Sequence, residues 1–420
     1  MATTVAGSPA PVEQFAADIT AARSFLADGG TCGLKASGRR DVGCVISERP
    51  STAAGTFTSN KVKAAPVLVC QEVLSSGAGA QAIVFNSGNA NAATGQQCLE
   101  NGRVMQRLLA EGPGRTHGIA PERVLVASTG VIGVQLDMDK LRHGISALRP
   151  SASNGERAVE AMMTTDTVPK TAAARFDVAG QAVTVAGMAK GAAMIAPQMV
   201  PHATMLAFMG TDAAVDSAYL QRTLTAAVED SFNMVIVDGD TSTNDTALLL
   251  ANGAAWPDGR PPLDGSQPEC AAFEAAVRSV CLRLAQAMAR DGEGAGKFIE
   301  VRVEGASTPE DARKVARSIA GSNLTKAAVL GADPNWGRIA CAAGYAEAEL
   351  DPNKLEIAIG GITLVRAGLA LAYDEAAASN KMKGDEVRLY ANLHLGDGAA
   401  TAWGCDLTPE YVRLNSEYTT

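Results

Sequence analysis

The sequence predicts a mixed α/β protein built from layers of sheet and helix, and three observations carry that prediction. Short apolar, β-branched runs alternate along the chain with segments whose apolar residues recur three and four apart, which is the pattern of layered strands and helices. The chain has 420 residues and is 47% hydrophobic, enough to bury a large core and long enough for two or three domains. Only 4% of residues are aromatic, while glycine (42 residues) and alanine abound, which favours closely packed layers over a binding module built on aromatic side chains.

The elements follow in order. The first thirty residues read as a tail, loose over 2–13, followed by one short helix over Gln14 to Leu26. Val124 to Ala127 is apolar and β-branched and predicts a strand that breaks at Ser128-Thr129-Gly130. Ala182 to Gly187 predicts another strand. Leu220, Leu224 and Val228 recur four apart behind a good N-cap, Asp216 or Ser217, and predict a helix. Met234 to Val237 reads as a strand running into an acidic, threonine-rich turn at Asp238. The Gly/Pro/Asp-rich stretch from Asn252 to Gln267 reads as an exposed loop. Phe273, Val277, Val280, Leu284 and Met288 mark a longer amphipathic helix ending at Asp291-Gly292. Phe298 to Val303 predicts a strand, Asp311 to Ala320 a helix, and Glu386 to Leu407 two strands around Gly396-Asp397-Gly398.

The net charge is −9 and no long basic run occurs, which argues against nucleic acid and against an anionic membrane surface as partners. No apolar stretch reaches membrane-spanning length, and the N-terminus lacks the charged region and apolar core of a signal peptide. Eight cysteines are scattered without a Cys-x-x-Cys or Cys-His cluster. The pattern predicts neither a disulfide framework nor a metal site, and it fits a reducing cytoplasm.

The most informative segment runs from Gly187 to Phe208. Over its length Lys190 is the single charged side chain, and a small residue, Ala203, precedes a hydroxyl residue, Thr204, ahead of an apolar run. A hydroxyl so placed can attack its own preceding carbonyl, convert the amide to an ester and release a new chain that begins with Thr. That residue then carries both nucleophile and base, because its free α-amine can take the proton from its hydroxyl. By itself an Ala-Thr pair is equally consistent with a threonine in a buried strand. The four histidines, His117, His143, His202 and His394, lie in no Ser/His/Asp context, so a histidine-based triad is disfavoured.

Long ordered motifs weigh on this reading: 54–66 (AGTFTSNKVKAAP), 86–91 (NSGNAN), 127–133 (ASTGVIG), 163–170 (MTTDTVPK), 238–246 (DGDTSTNDT), 291–294 (DGEG), 333–338 (DPNWGR) and 412–420 (VRLNSEYTT). With these the chain resembles the ornithine acetyltransferase (glutamate N-acetyltransferase) family from about Gly33 to Thr420. The resemblance implies a layered sandwich of sheets between helices. It implies self-cleavage between Ala203 and Thr204 into an α chain (31–203, behind the 1–30 tail and helix) and a β chain (204–420), associated as a heterotetramer of two copies of each. It implies acetyl transfer from N2-acetylornithine to glutamate through an acyl-Thr204 intermediate, with no organic cofactor or metal and with acetyl-CoA as a possible further substrate. By the same resemblance Thr129 and Gly130 form the oxyanion hole, while Thr164, Lys190, Thr204, Glu293, Asn415 and Thr420 bind substrate.

The residues themselves agree to different degrees. A tight Thr-Gly turn can offer a hydroxyl and a backbone N–H to a developing oxyanion, although such turns are also common punctuation. Lys190 in an uncharged segment is costly unless paired and can meet a carboxylate or let its head reach solvent. Gly292 to Lys297 superficially suggests a phosphate loop but lacks the first glycine and the Ser/Thr after lysine. The Asp238–Thr246 turn could suggest a metal site, yet its side chains suit a self-bonded turn. Val200-Pro201-His202 reads as a three-residue insertion relative to the family, and Gly296 stands where the family usually has threonine. The open alternatives are an N-acyl amino-acid transferase of a specialised pathway, an amidase or aminopeptidase with the same nucleophile, and an unprocessed, non-catalytic relative.

Overall fold

The computed structural model describes residues 12–196, 199 and 205–417. Sixteen strands appear among these residues. They are β1 (Glu13–Phe15), β2 (Phe25–Gly30), β3 (Val42–Phe57), β4 (Ala80–Asn89), β5 (Val124–Val131), β6 (Lys170–Val178), β7 (Gln181–Lys190), β8 (Leu206–Thr211), β9 (Val235–Ile236), β10 (Thr246–Ala251), β11 (Phe298–Ala306), β12 (Glu356–Ile359), β13 (Ile362–Arg366), β14 (Leu369–Ala370), β15 (Glu386–Asn392) and β16 (Gly398–Cys405). A nine-stranded sheet runs β1-β6-β7-β8-β10-β3-β4-β5, with β2 beside β3, and a seven-stranded sheet runs β14-β13-β12-β15-β11-β16-β9. None of the described helices is long and apolar enough to cross a membrane.

Helices tie the sheets together. Asp216 caps the helix Ser217–Glu229 by accepting the N–H groups of Ala218 and Tyr219, and Thr308 caps Pro309–Gly321 through the N–H of Asp311. Each such cap stabilises its helix by about 1 kcal/mol. The helix Cys270–Arg290 buries the predicted stripe, Phe273, Val277, Val280, Leu284 and Met288. One continuous core runs from Phe176, Val183 and Val185 on β6–β7, through that stripe, to Val301, Val303 and Leu389 of the second sheet. A separate core under the first sheet joins Phe25, Phe85 and Phe208 to the helix Gly155–Met162, through Ala158 and Met162. The layered α/β expectation is met.

Two local expectations are corrected. Gln14 to Leu26 is not a helix: β1, a short 3-10 turn (Ile19–Ala21) capped by Asp18, and the start of β2 occupy that stretch. Ile19, Ala22 and Phe25 have helix-like spacing, but strand pairing outweighs it. β2 pairs antiparallel with β3, Phe25 opposite Ser47, and the Phe25 ring fills the space that a side chain at Gly210 would need. The strand from Val124 does not break at Ser128; it runs on through Val131, paired parallel with β4, Ser87 opposite Thr129 and Gly88 opposite Gly130.

Candidate active site

The pairing of β4 with β5 brings two backbones unusually close at the strand ends. Gly130 has φ +130°, and a Cβ there would lie 2.4 Å from the carbonyl carbon of Gly88. A side chain is excluded on both counts. Thr129 and Gly130 are thus fixed by a sheet ladder, not by a loop. Next to them, β7 ends at Lys190, and Gly191 turns the chain with φ +153°. The Lys190 Nζ donates to the Thr129 Oγ1 at 3.2 Å.

Other segments converge here. Thr164 lies just past the helix Gly155–Met162, its backbone N–H donating to Asp166 at 2.9 Å. Glu293 follows the end of the 270–290 helix, and its N–H donates to the Ala192 carbonyl at 2.9 Å. Asn415, on the C-terminal helix Pro409–Glu417, donates from Nδ2 to the Glu293 carboxylate at 2.8 Å. Gly294 (φ +67°) permits that helix to approach, since a Cβ would meet the Tyr411 amide at 2.5 Å.

Thr129, Gly130, Thr164, Lys190, Glu293 and Asn415 all line one cavity of about 140 Å³. Its charged lining sets one ammonium, Lys190, with three carboxylates, Asp238, Asp240 and Glu293; Ile132 and Met194 supply apolar wall. Such a cavity suits a small molecule carrying both a carboxylate and an ammonium. Ala203, Thr204, Thr420 and the 200–202 segment lie outside the described residues. Thr204 is, however, bonded directly to Met205, whose carbonyl accepts the Thr246 N–H at 2.9 Å at the head of the β8–β10 pairing.

The electrostatics follow from burial and ion placement. Burial pulls the Lys190 ammonium below its ordinary range, and the Asp166 carboxylate works against that. Burial would push Asp166 up, but the ammoniums of Lys190 and Lys170, with the Gly191 amide, hold it down to about 2. Lys35, whose Nζ donates to the carbonyls of Arg40 and Met163, is brought down to about 8 by burial and by Arg39.

The turn at Asp238 is self-bonded, as the sequence suggested, the Asp240 N–H donating to Asp238 at 3.2 Å and the Asn244 N–H to the Ser242 hydroxyl at 3.1 Å. Beyond that expectation it is also a brace, the Asp238 carboxylate accepting the N–H groups of Met194 at 2.6 Å and Ile195 at 2.9 Å. It also faces the cavity, as do Ser242, Asn244 and Tyr411, which sequence reasoning did not single out. Two of these sit in the 238–246 motif, so the motif itself was the available signal. A larger cavity of about 750 Å³ lies against the 309–321 helix; it holds none of the six candidate residues, and its Arg313 and Lys314 are paired with Asp230 and Glu310.

The profile of the ArgJ family matches residues 26–420. The arginine biosynthesis bifunctional protein ArgJ of Symbiobacterium thermophilum is 49% identical over 97% of this chain and the whole of that protein. The protein of the same name from a Synechocystis strain is 46% identical over 96% of this chain and 98% of its own length. A crystal structure of the Mycobacterium tuberculosis ornithine acetyltransferase complexed with ornithine is 38% identical, covering 45% of this chain and all of that chain, with a TM-score of 0.42.

Proposed function

We propose, from the premise that this chain belongs to the ArgJ family, that it moves an acetyl group from N2-acetylornithine to glutamate in arginine biosynthesis through an acyl-threonine intermediate. The observation that carries the reading is the convergence of Thr129, Gly130, Thr164, Lys190, Glu293 and Asn415, from five separate segments, on one cavity. Met205, which follows Thr204, packs close to Gly191, the neighbour of Lys190, its Cβ 3.6 Å from where a Cβ at Gly191 would stand.

The chain cleaves itself between Ala203 and Thr204, giving an α chain ending at 203 and a β chain of 204–420. Sheet topology supports their staying together. β8 and β10 of the β chain sit inside the nine-stranded sheet, held by β7 on one side and β3 on the other, both from the α chain. The Thr204 hydroxyl gives its proton to its own α-amine and attacks the acetyl carbonyl. The Thr129 hydroxyl and Gly130 N–H stabilise the oxyanion. As the C–N bond breaks, the α-ammonium returns the proton to the departing ornithine amine. The glutamate α-amine then attacks the acyl ester, its proton passes back to the threonine oxygen, and N-acetylglutamate leaves. Lys190 binds the substrate carboxylate and Glu293 the ammonium end; Thr164, Asn415 and Thr420 complete the substrate site. No step needs a metal or organic cofactor. Two copies of each chain associate, and the enzyme works in the cytoplasm.

Intact mass under denaturing conditions tests the nucleophile. Two fragments are expected, the second beginning at Thr204, together with one equivalent of ornithine released without glutamate and continued turnover only when glutamate is present. A single chain of 43.1 kDa that still transfers acetyl groups would sink the N-terminal threonine. Free acetate in place of N-acetylglutamate would make the enzyme an amidase, and acetyl-CoA as donor is the companion assay.

A further inference from the structure

Three of the cavity's five segments, those of Thr164, Lys190 and Glu293, are far apart in sequence, yet one buried ion cluster joins them. Asp166 uses both carboxylate oxygens. One accepts the Thr164 N–H at 2.9 Å; the other accepts the Gly191 N–H at 2.7 Å and the Lys170 ammonium at 2.7 Å. Lys170 also donates to Asp291 at 2.5 Å. Asp291 takes the backbone N–H of Thr167 at 3.0 Å and also its hydroxyl. It stands two residues before Glu293, at the end of the 270–290 helix. The side chains of Lys170 and Asp166 have no exposure, and Asp291 has 4%. None of the three lines the cavity.

We propose that Asp166, with Lys170 and Asp291, is a positioning unit that locks Thr164, Lys190 and Glu293 into one frame and so sets recognition of the amino-acid part of the substrate. The carboxylates do more than balance the buried ammoniums of Lys170 and Lys190: Asp166 also accepts the amide of Thr164, which lines the cavity, and that of Gly191, next to Lys190. Gly191 follows Lys190 directly, so the amide bond to Asp166 fixes the point from which the Lys190 side chain departs. Loosening it misplaces the ammonium relative to Glu293 and weakens its 3.2 Å bond to the Thr129 hydroxyl, while the β4–β5 ladder still holds the backbone of Thr129 and the Gly130 N–H in place.

The proposal rests on the acetyl-transfer reading, and two substrates separate its failure from the failure of that reading. N2-acetylornithine uses the whole frame. p-Nitrophenyl acetate has neither carboxylate nor ammonium; it needs only the nucleophile and the oxyanion site, acylating Thr204 and releasing p-nitrophenolate. In Asp166→Asn, kcat/KM for N2-acetylornithine is expected to fall by about a hundredfold, mostly through KM, since misplacement of about 1 Å can cost that much. Acylation by p-nitrophenyl acetate should fall less than threefold. Equal losses on both substrates would overturn the proposal, because a plain folding defect scales both alike. If Asp166→Asn does not give folded, processed protein, Thr167→Val decides. It removes only the hydroxyl on Asp291, and a KM rise of about threefold for N2-acetylornithine alone supports the frame, whereas an unchanged KM refutes it. A wild-type enzyme that is acylated by p-nitrophenyl acetate but ignores N2-acetylornithine would refute the substrate assignment instead.

Discussion

Two acidic loops flank the cavity, 163–170 and 238–246, and they treat their carboxylates differently. In the first, Asp166 lies between two lysines, Lys170 in contact at 2.7 Å and Lys190 close by, and is held down to about 2 although burial alone would push it up. In the second, Asp238 receives backbone amides, from Met194, Ile195 and Asp240, and burial keeps it above the ordinary carboxylate range. Asp245 is wholly buried and stands well above that range for the same reason, with the Met205 amide and Lys190 opposing. Burial has one sign at all three sites. The contrast teaches that amides do not offset desolvation here, even with the single ammonium that acts on Asp245, whereas amides joined by two ammoniums do so at Asp166. The first loop stores fixed charge; in the second, burial favours the protonated forms of Asp238 and Asp245, and Asp238 braces Met194 and Ile195.

The most severe way to break that comparison is Lys170→Met. It leaves Asp166 and Asp291 buried without the cation they share. Removing one partner of a buried ion pair costs about 3–5 kcal/mol, so the urea midpoint should drop by an amount corresponding to that range. A loss below about 1 kcal/mol would mean that the loop does not depend on fixed charge.

A smaller effect sharpens the same contrast by pH. Asp166 has a folded pKa below its unfolded value of 3.8. Its contribution is therefore complete above pH 4 and is lost as pH falls from about 4 to about 2. At neutral pH it corresponds to about 2 kcal/mol. The stability gap between the wild-type protein and Asp166→Asn should be constant from pH 5 to 8 and narrow below pH 4. A gap that widens in acid would contradict the assignment of the charge.

These differences also mark what the sequence could and could not tell. The apolar spacing from Phe273 to Met288 was legible because a helix that buries one stripe repeats it locally, and the 298–303 and 182–187 strands were legible for the equivalent reason. The 14–26 stretch was not, because its strand character comes from pairing with β3, a contact outside any local window. Thr129, Gly130, Thr164, Lys190, Glu293 and Asn415 could be named from motif resemblance, and the cavity brings all six together. The roles of Asp166, Lys170 and Asp291 could not be read, although each lies in a recognisable motif. Their chemistry depends on a distance across 121 residues of chain, and nothing in the local pattern distinguishes a buried aspartate from one in a solvated turn.

The subtlest test falls on the second loop. Asp245 has a folded pKa raised by burial, so the sign is opposite to that of Asp166. Where its folded form is ionised, the buried charge is a cost; below its unfolded pKa, both folded and unfolded chains carry the proton and the cost vanishes. Asp245→Asn should therefore stabilise the fold by about 1 kcal/mol or more at pH 7 to 8, and the gain should shrink toward pH 4. If Asp245→Asn instead loses stability at neutral pH, and the loss fades in acid, then Asp245 is a charged counter-ion of Lys190. In that case both loops hold fixed negative charge next to the same lysine, the contrast between them disappears, and the Lys190 ammonium is held by Asp245 as much as by Asp166.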